Sequence, residues 1–278
     1  MLHSLNRSAL SLMHACWGND LSKHELLNFM TDSKEQIEEY LKREITKSGF
    51  PFEIFSSITL SKFGWNCEIH TIYYSEQTKS FSEIDIRAHK LDKHFEGVSD
   101  VLVIECKKQE KKPWVFFEQD RPNTDITTLN AVPSSLYMKL KPRFKKHYYF
   151  NRKPCSFHFP SFVSHGKPDV ILDAINQVLN ALDYCLEKEN QMQPHLESRK
   201  TISYPVILLD GKLFSARVES DGDIKLSESK HLQLMVRRGL PSPMQVQISG
   251  TDALLSPIKL YIIDIVRKDG LEEFLEYF

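Results

Sequence analysis

Val101-Leu102-Val103-Ile104-Glu105-Cys106-Lys107 is an apolar run that ends in charge. Four successive residues of Val, Leu and Ile type read as a buried strand. Side chains alternate along a strand, so Glu105 and Lys107 share one face while Ile104 and Cys106 share the other. A second stretch, Ser82-Glu83-Ile84-Asp85-Ile86-Arg87, alternates in the same way, with Glu83 and Asp85 on one face and Ile84 and Ile86 on the other. If the two strands pair, carboxylates from both meet at one edge beside a lysine.

That combination suits phosphodiester hydrolysis. Asp85 and Glu105 offer hard oxygen ligands for Mg²⁺ or Mn²⁺, and the backbone carbonyl of Cys106 can complete the shell. The metal polarises a phosphoryl group and acidifies its bound water. Lys107 can stabilise developing phosphate charge or position that water. Placing these charges beside two very apolar strands costs free energy unless they serve a metal or a ligand.

Glu83-Ile84-Asp85-Ile86 followed by Val103-Ile104-Glu105-Cys106-Lys107-Lys108 resembles the two signature strands of the PD-(D/E)XK, restriction-endonuclease-like nucleases, especially their Mrr-like branch. The resemblance implies that Asp85 is the acid ending the second strand and that Glu105 and Lys107 form the E-x-K. It also implies a glutamate on the first core helix, followed by apolar residues at +3 and +7 and glycine at +11. Glu38, Leu41, Ile45 and Gly49 fit this spacing, with Glu35 and Glu39 as near alternatives. Further implications are DNA as substrate, a role in defence, restriction or repair, a homodimer, and a partner protein that activates or targets the enzyme. An RNA-directed nuclease of the same fold, or an inactive nucleic-acid-binding or assembly protein, are the rival readings.

Working outward, residues 33–110 carry the resemblance. Residues 1–32 read as an N-terminal helical extension with apolar positions such as Leu10, Met13 and Trp17, and 33–278 as the nuclease domain. Asp32 and Ser33 offer N-caps to a helix carrying Ile37, Leu41 and Ile45, which Gly49 and Pro51 should end. Asn66 to Tyr74 reads as a further strand. Residues 111–165, with six prolines and little period, read as an insertion. Residues 168–188 form an amphipathic helix with Pro168 in its first turn; Gln177 falls on its polar side and reads as a surface residue. Tyr204 to Leu209 is a strand, turned by Asp210-Gly211 into a hairpin with Leu213 to Val218. Lys259 to Val266 is another, and Asp269 is a candidate cap for a terminal helix. The expected fold is α/β with an α+β-like mixed sheet, a central sheet flanked by helices.

Net charge is −1, from 36 basic and 37 acidic residues, so affinity for a polyanion must come from local patches. Lys108, Lys111 and Lys112 extend positive charge from the active strand, and Gln109 shares the face of Lys107. Lys139, Lys141, Arg143, Lys145, Lys146, Arg152 and Lys153, interleaved with Tyr137, Phe144, Tyr148, Tyr149 and Phe150, suit phosphate pairing and base stacking. Five cysteines without a C-x-x-C pair argue against a disulfide scaffold or thiolate zinc site, and point to a reduced, cytoplasmic setting. Cys106 reads as packed rather than reactive. No H-x-x-x-H pair and no G-x-x-x-x-G-K loop is present, which weighs against a histidine metal site and ATP hydrolysis. No apolar run is long enough to cross a membrane.

Overall fold

The computed structural model describes residues 34–75, 78–91, 98–119, 155–160, 169–192, 200–239, 244–248, 251–255 and 258–278. The chain divides into two units, Met1–Pro51 and Phe52–Phe278. The first described helix, α1 (Lys34–Lys47), falls with the first unit. Ile37 and Leu41 are half-buried and Ile45 is exposed, so the apolar face of α1 is only partly covered. The helix ends where Ser48 donates its N–H to Ile45 O at 3.1 Å.

Pro51 does not end a helix; it sits in the first turn of a second one, α2 (Phe50–Lys62). There its missing N–H has no helical acceptor to lose. The sequence Phe-Pro-Phe-Glu-Ile-Phe-Ser-Ser-Ile-Thr-Leu is apolar on nearly every side, which hides the helical period. Phe52, Ser56, Thr59 and Leu60 are the buried positions. Gly64, at φ +82°, follows its end in the left-handed conformation that closes helices.

Three antiparallel strands follow: β1 (Asn66–Ser75), β2 (Ser80–Leu91) and β3 (Val98–Gln119). β4 (Cys155–His158) comes next, then α3 (Val170–Met192), whose first turn is capped by Asp169 Oδ1 accepting the Ile171 N–H at 2.9 Å. α3 leads into β5 (Lys200–Val218), which runs parallel to β3 from Val98↔Lys200 onward. β6 (Ile224–Glu228) is antiparallel to the end of β5. β7 (His231–Gly239) is antiparallel to β10 (Ile258–Arg267), which in turn is parallel to β5. β8 (Met244–Ile248) and β9 (Thr251–Leu255) make a separate hairpin.

The mixed sheet flanked by helices is therefore present, with the order β1-β2-β3-β4-β7-β10-β5-β6. It has one feature the sequence did not suggest. β3 also pairs with β5, so β3, β4, β7, β10 and β5 close into a five-stranded ring. Closure is possible because β3 and β5 are long. Residues 111–119, read from the prolines as the start of an insertion, are the second half of β3, with Trp114 and Phe116 fully buried. Pro113 lies in the bulge between Gln109 and Trp114, where the ladder to β5 skips and no N–H is required of it.

The same bulge explains Gly211. β5 runs straight through Asp210-Gly211, and no hairpin turn forms there. A Cβ on Gly211 would lie 2.4 Å from the backbone oxygen of Gln109, so glycine allows two strands to approach closely. Gly211→Ala is expected to destabilise the protein by about 1–3 kcal/mol, read from urea midpoints, because backbone cannot yield as a side chain does. The true hairpin after β5 is the Glu219–Asp223 turn, with Gly222 at φ +91°.

Both faces of the central strands are covered. One carries Ile86, Leu102, Ile104, Val206 and Leu208, with Phe52 and Leu60 of α2 and the C-terminal Phe274 and Phe278. The other carries Val101, Val103, Ile207 and Leu209 against Ala174, Ile175, Val178 and Leu182 of α3. At the C-terminus a 3-10 turn (Lys268–Gly270) precedes α4 (Leu271–Leu275). Asp269 does not cap α4; it accepts hydrogen bonds from Arg267 at 2.8 and 2.9 Å, which leaves Gly270 at the cap position. Among the described residues no helix is long and apolar enough to cross a membrane.

Candidate active site

The β2–β3 ladder ends at Ile86↔Ile104. Ile84 and Ile86, expected on one face, belong to opposite cores, so β2 turns as it leaves β3. Asp85 lies at that fork. Its Oδ2 accepts the N–H of Cys106 at 2.7 Å, taking the place of a ladder partner. Glu105, on the α3 side of β3, is only 6% exposed. Lys107 lies two residues on and reaches back, with Nζ 2.7 Å from Glu105 Oε1. The fork thus gathers two carboxylates and a lysine from adjacent strands.

Two helices complete the surroundings. From α3, Gln177 Oε1 accepts a hydrogen bond from Lys107 Nζ at 2.6 Å, and Asp173 stands 3.8 Å from the same nitrogen. Gln177 is therefore not a bland surface residue: it and Asp173, four apart on one helical face, hold Lys107 from above. From α2, Glu53 contributes a carboxylate that is 13% exposed and lies 3.2 Å from His70 Nε2. The other ring nitrogen of His70 contacts Glu83.

The electrostatics are those of negative charge short of a counterion. Burial pushes the Glu105 carboxyl from an ordinary 4.5 up to about 8, and the charge on Asp85 raises it further while Lys107 opposes. Burial also raises Asp85, against the Cys106 N–H and Lys107. Glu53 is raised by burial and then by Asp85, with His70 opposing. The Cys106 thiol is pushed well up by burial, consistent with a packed and unreactive side chain.

No family model, curated protein or solved structure matches this chain.

The residues singled out from sequence separate clearly. Asp85, Glu105 and Lys107 come together, and Cys106 meets the site through its N–H. Glu38 is exposed on α1 in the first unit, paired with Lys42 at 2.7 Å. A helix glutamate whose carboxyl feels the charge of Asp85 is Glu53 of α2. From Glu53 the +7 and +11 positions of the spacing that pointed to Glu38 are met by Leu60 and Gly64, but the +3 position is Ser56 rather than an apolar residue. Lys108 pairs with Glu110 at 3.1 Å, Gln109 lies at the bulge, and Lys111 and Lys112 are exposed. Lys139, Lys141, Arg143, Lys145, Lys146, Arg152, Lys153 and their aromatic neighbours lie outside the described residues.

Among the described residues, no group of three or more histidine, cysteine, aspartate or glutamate side chains is gathered to hold a metal ion. A Mg²⁺-class ion asks for less, one or two carboxylates with water filling the rest. Asp85 and Glu105 meet that requirement in oxygen donors.

Proposed function

We propose that this chain is a Mg²⁺- or Mn²⁺-dependent nuclease of the PD-(D/E)XK, restriction-endonuclease-like kind, hydrolysing phosphodiester bonds of DNA. The observation that carries the reading is the buried Asp85–Glu105–Lys107 set at the β2–β3 fork. Support also comes from the order of elements: an antiparallel meander ending in the charged strand, then a helical crossover into a parallel neighbour. Of the pairings that close the five-stranded ring, β3–β4 lies beyond the bulge at Phe117–Gln119, past the charged end of the strand, while β3–β5 runs alongside Glu105 and Lys107.

Asp85, Glu105 and the Cys106 carbonyl would hold the ion, which when bound supplies Lewis acidity and a more acidic water. The remaining work falls to the chain. Lys107 is fixed between Glu105 and Gln177, so its ammonium is already oriented toward phosphate charge at no further entropic cost. The Cys106 N–H locks the Asp85 carboxylate. Lys108, Lys111 and Lys112 continue the strand with positive charge that can meet the phosphodiester backbone.

The test is cleavage of plasmid DNA, and of RNA in parallel, with Mg²⁺ or Mn²⁺. Asp85→Asn is expected to lower kcat roughly 10³-fold, and Glu53→Gln to cost more activity than Glu38→Gln. Undiminished cleavage by Asp85→Asn ends the assignment, and cleavage of RNA alone replaces DNA as the substrate.

A further inference from the structure

His70 departs from the extended backbone of β1. Its φ is +55°, a left-handed conformation that costs a residue with a Cβ about 1–2 kcal/mol. The β1–β2 register steps from Ile69↔Ile86 to Thr71↔Ile84 and omits it, so His70 occupies an irregularity opposite Asp85. Glycine or asparagine would satisfy that backbone more cheaply. An irregularity of this kind re-aims a side chain, and here it directs the imidazole at two carboxylates on two other elements. Nε2 lies 3.2 Å from Glu53 of α2, and Nδ1 contacts Glu83 of β2. The ring is 27% exposed, and Glu53 is more buried still.

We propose that His70 is a positioning residue whose ring clamps Glu53 to Glu83, fixing the α2 glutamate beside Asp85. What the placement is for rests on the cleavage reading; the clamp itself does not. Nδ1 hydrogen-bonds Glu83, while Nε2 meets Glu53 as an ion-pair contact at 3.2 Å rather than as an aligned hydrogen bond. The clamp ties α2, β1 and β2 together at the one point where β2 leaves the ladder. His70 is also among the groups that oppose the upward shifts of Glu53 and Asp85.

Two measurements on the full chain test this. The first is ¹⁵N-histidine NMR at mildly acidic pH, with the His70 signals assigned by their loss in His70→Asn. Two protonated ring nitrogens are expected, the Nδ1 signal hydrogen-bonded and altered in Glu83→Ala, the Nε2 signal altered in Glu53→Ala. A single protonated ring nitrogen, or signals indifferent to both variants, overturns the clamp whether or not the protein cleaves nucleic acid. The second is kinetic. His70→Gly and His70→Asn relieve the backbone, so a residue with only a structural role gives an equal or higher Tm and full activity. The clamp predicts the same Tm behaviour with kcat lowered about 10- to 100-fold and KM within about two-fold, because misplacement acts on the reacting geometry rather than on binding. Wild-type kcat in His70→Gly overturns the proposal. Two ring signals in a protein that cleaves nothing uphold the clamp and remove the cleavage reading instead.

Discussion

Replacing Glu105 with glutamine stabilises the metal-free protein in alkaline solution and flattens its stability between about pH 4.5 and 8. The Glu105 carboxyl titrates near 8 in the native protein against an ordinary 4.5, so the folded state binds its proton more tightly than the unfolded state does. Stability from this group is therefore greatest at low pH, where both states are protonated. It falls as pH rises through the window between the two values, and the loss is complete above about 8. Each unit of displacement is worth about 1.4 kcal/mol, so the full effect is on the order of a few kcal/mol. Glutamine keeps the shape and removes the titration. Urea midpoints of the two proteins should diverge from about pH 5 to about pH 9, with the variant the more stable at the alkaline end. Mg²⁺ or Mn²⁺ added at that end should raise the Tm of the wild type and not of Glu105→Gln. Parallel curves across the range would show that Glu105 is not the strained group.

The sequence made the central strands legible because they obey a single rule. Alternation over 82–87 and an apolar run into Glu105 and Lys107 require both flanks of β3 to be buried and its end to be charged, and this is how β3 lies between two cores. The long stripe of α3 was readable for the same reason. What escaped reading were places where tertiary contact overrides local signal. α2 shows no amphipathic period because it presents apolar side chains on almost every side, so Glu53 could not be singled out as a neighbour of Asp85. Pro113 and Asp210-Gly211 look like breaks, yet they face each other across one bulge in two strands that continue. A glycine needed for close approach cannot be told from a glycine needed for a turn until its neighbour is known. Gln177 is polar on a polar helix face, and only the position of Lys107 reveals its use.

Lys107→Met should both abolish cleavage and destabilise the protein, with the second effect confined to alkaline pH. Lys107 is 18% exposed, and its Nζ contacts Glu105 at 2.7 Å and Gln177 at 2.6 Å. Methionine retains most of the packing volume, so what is lost is charge and hydrogen bonding. Cleavage should fall roughly 10³-fold, the usual scale for removing a preorganised group that stabilises developing charge. Without Lys107 to oppose the shift the Glu105 carboxyl rises further, so it ionises only on the alkaline side of about pH 8, and there it is buried without its cation; breaking such a pair costs on the order of 3–5 kcal/mol. Below about pH 5 Glu105 is protonated and the cost largely disappears. The double variant Lys107→Met with Glu105→Gln separates the roles. It should recover stability at alkaline pH, since no unpaired charge remains, and recover no cleavage at all. If single and double variants are equally unstable at both pH values, Lys107 acts through packing and the electrostatic account of the fork fails. If Lys107→Met still cleaves, the lysine belongs to the fold and not to the chemistry.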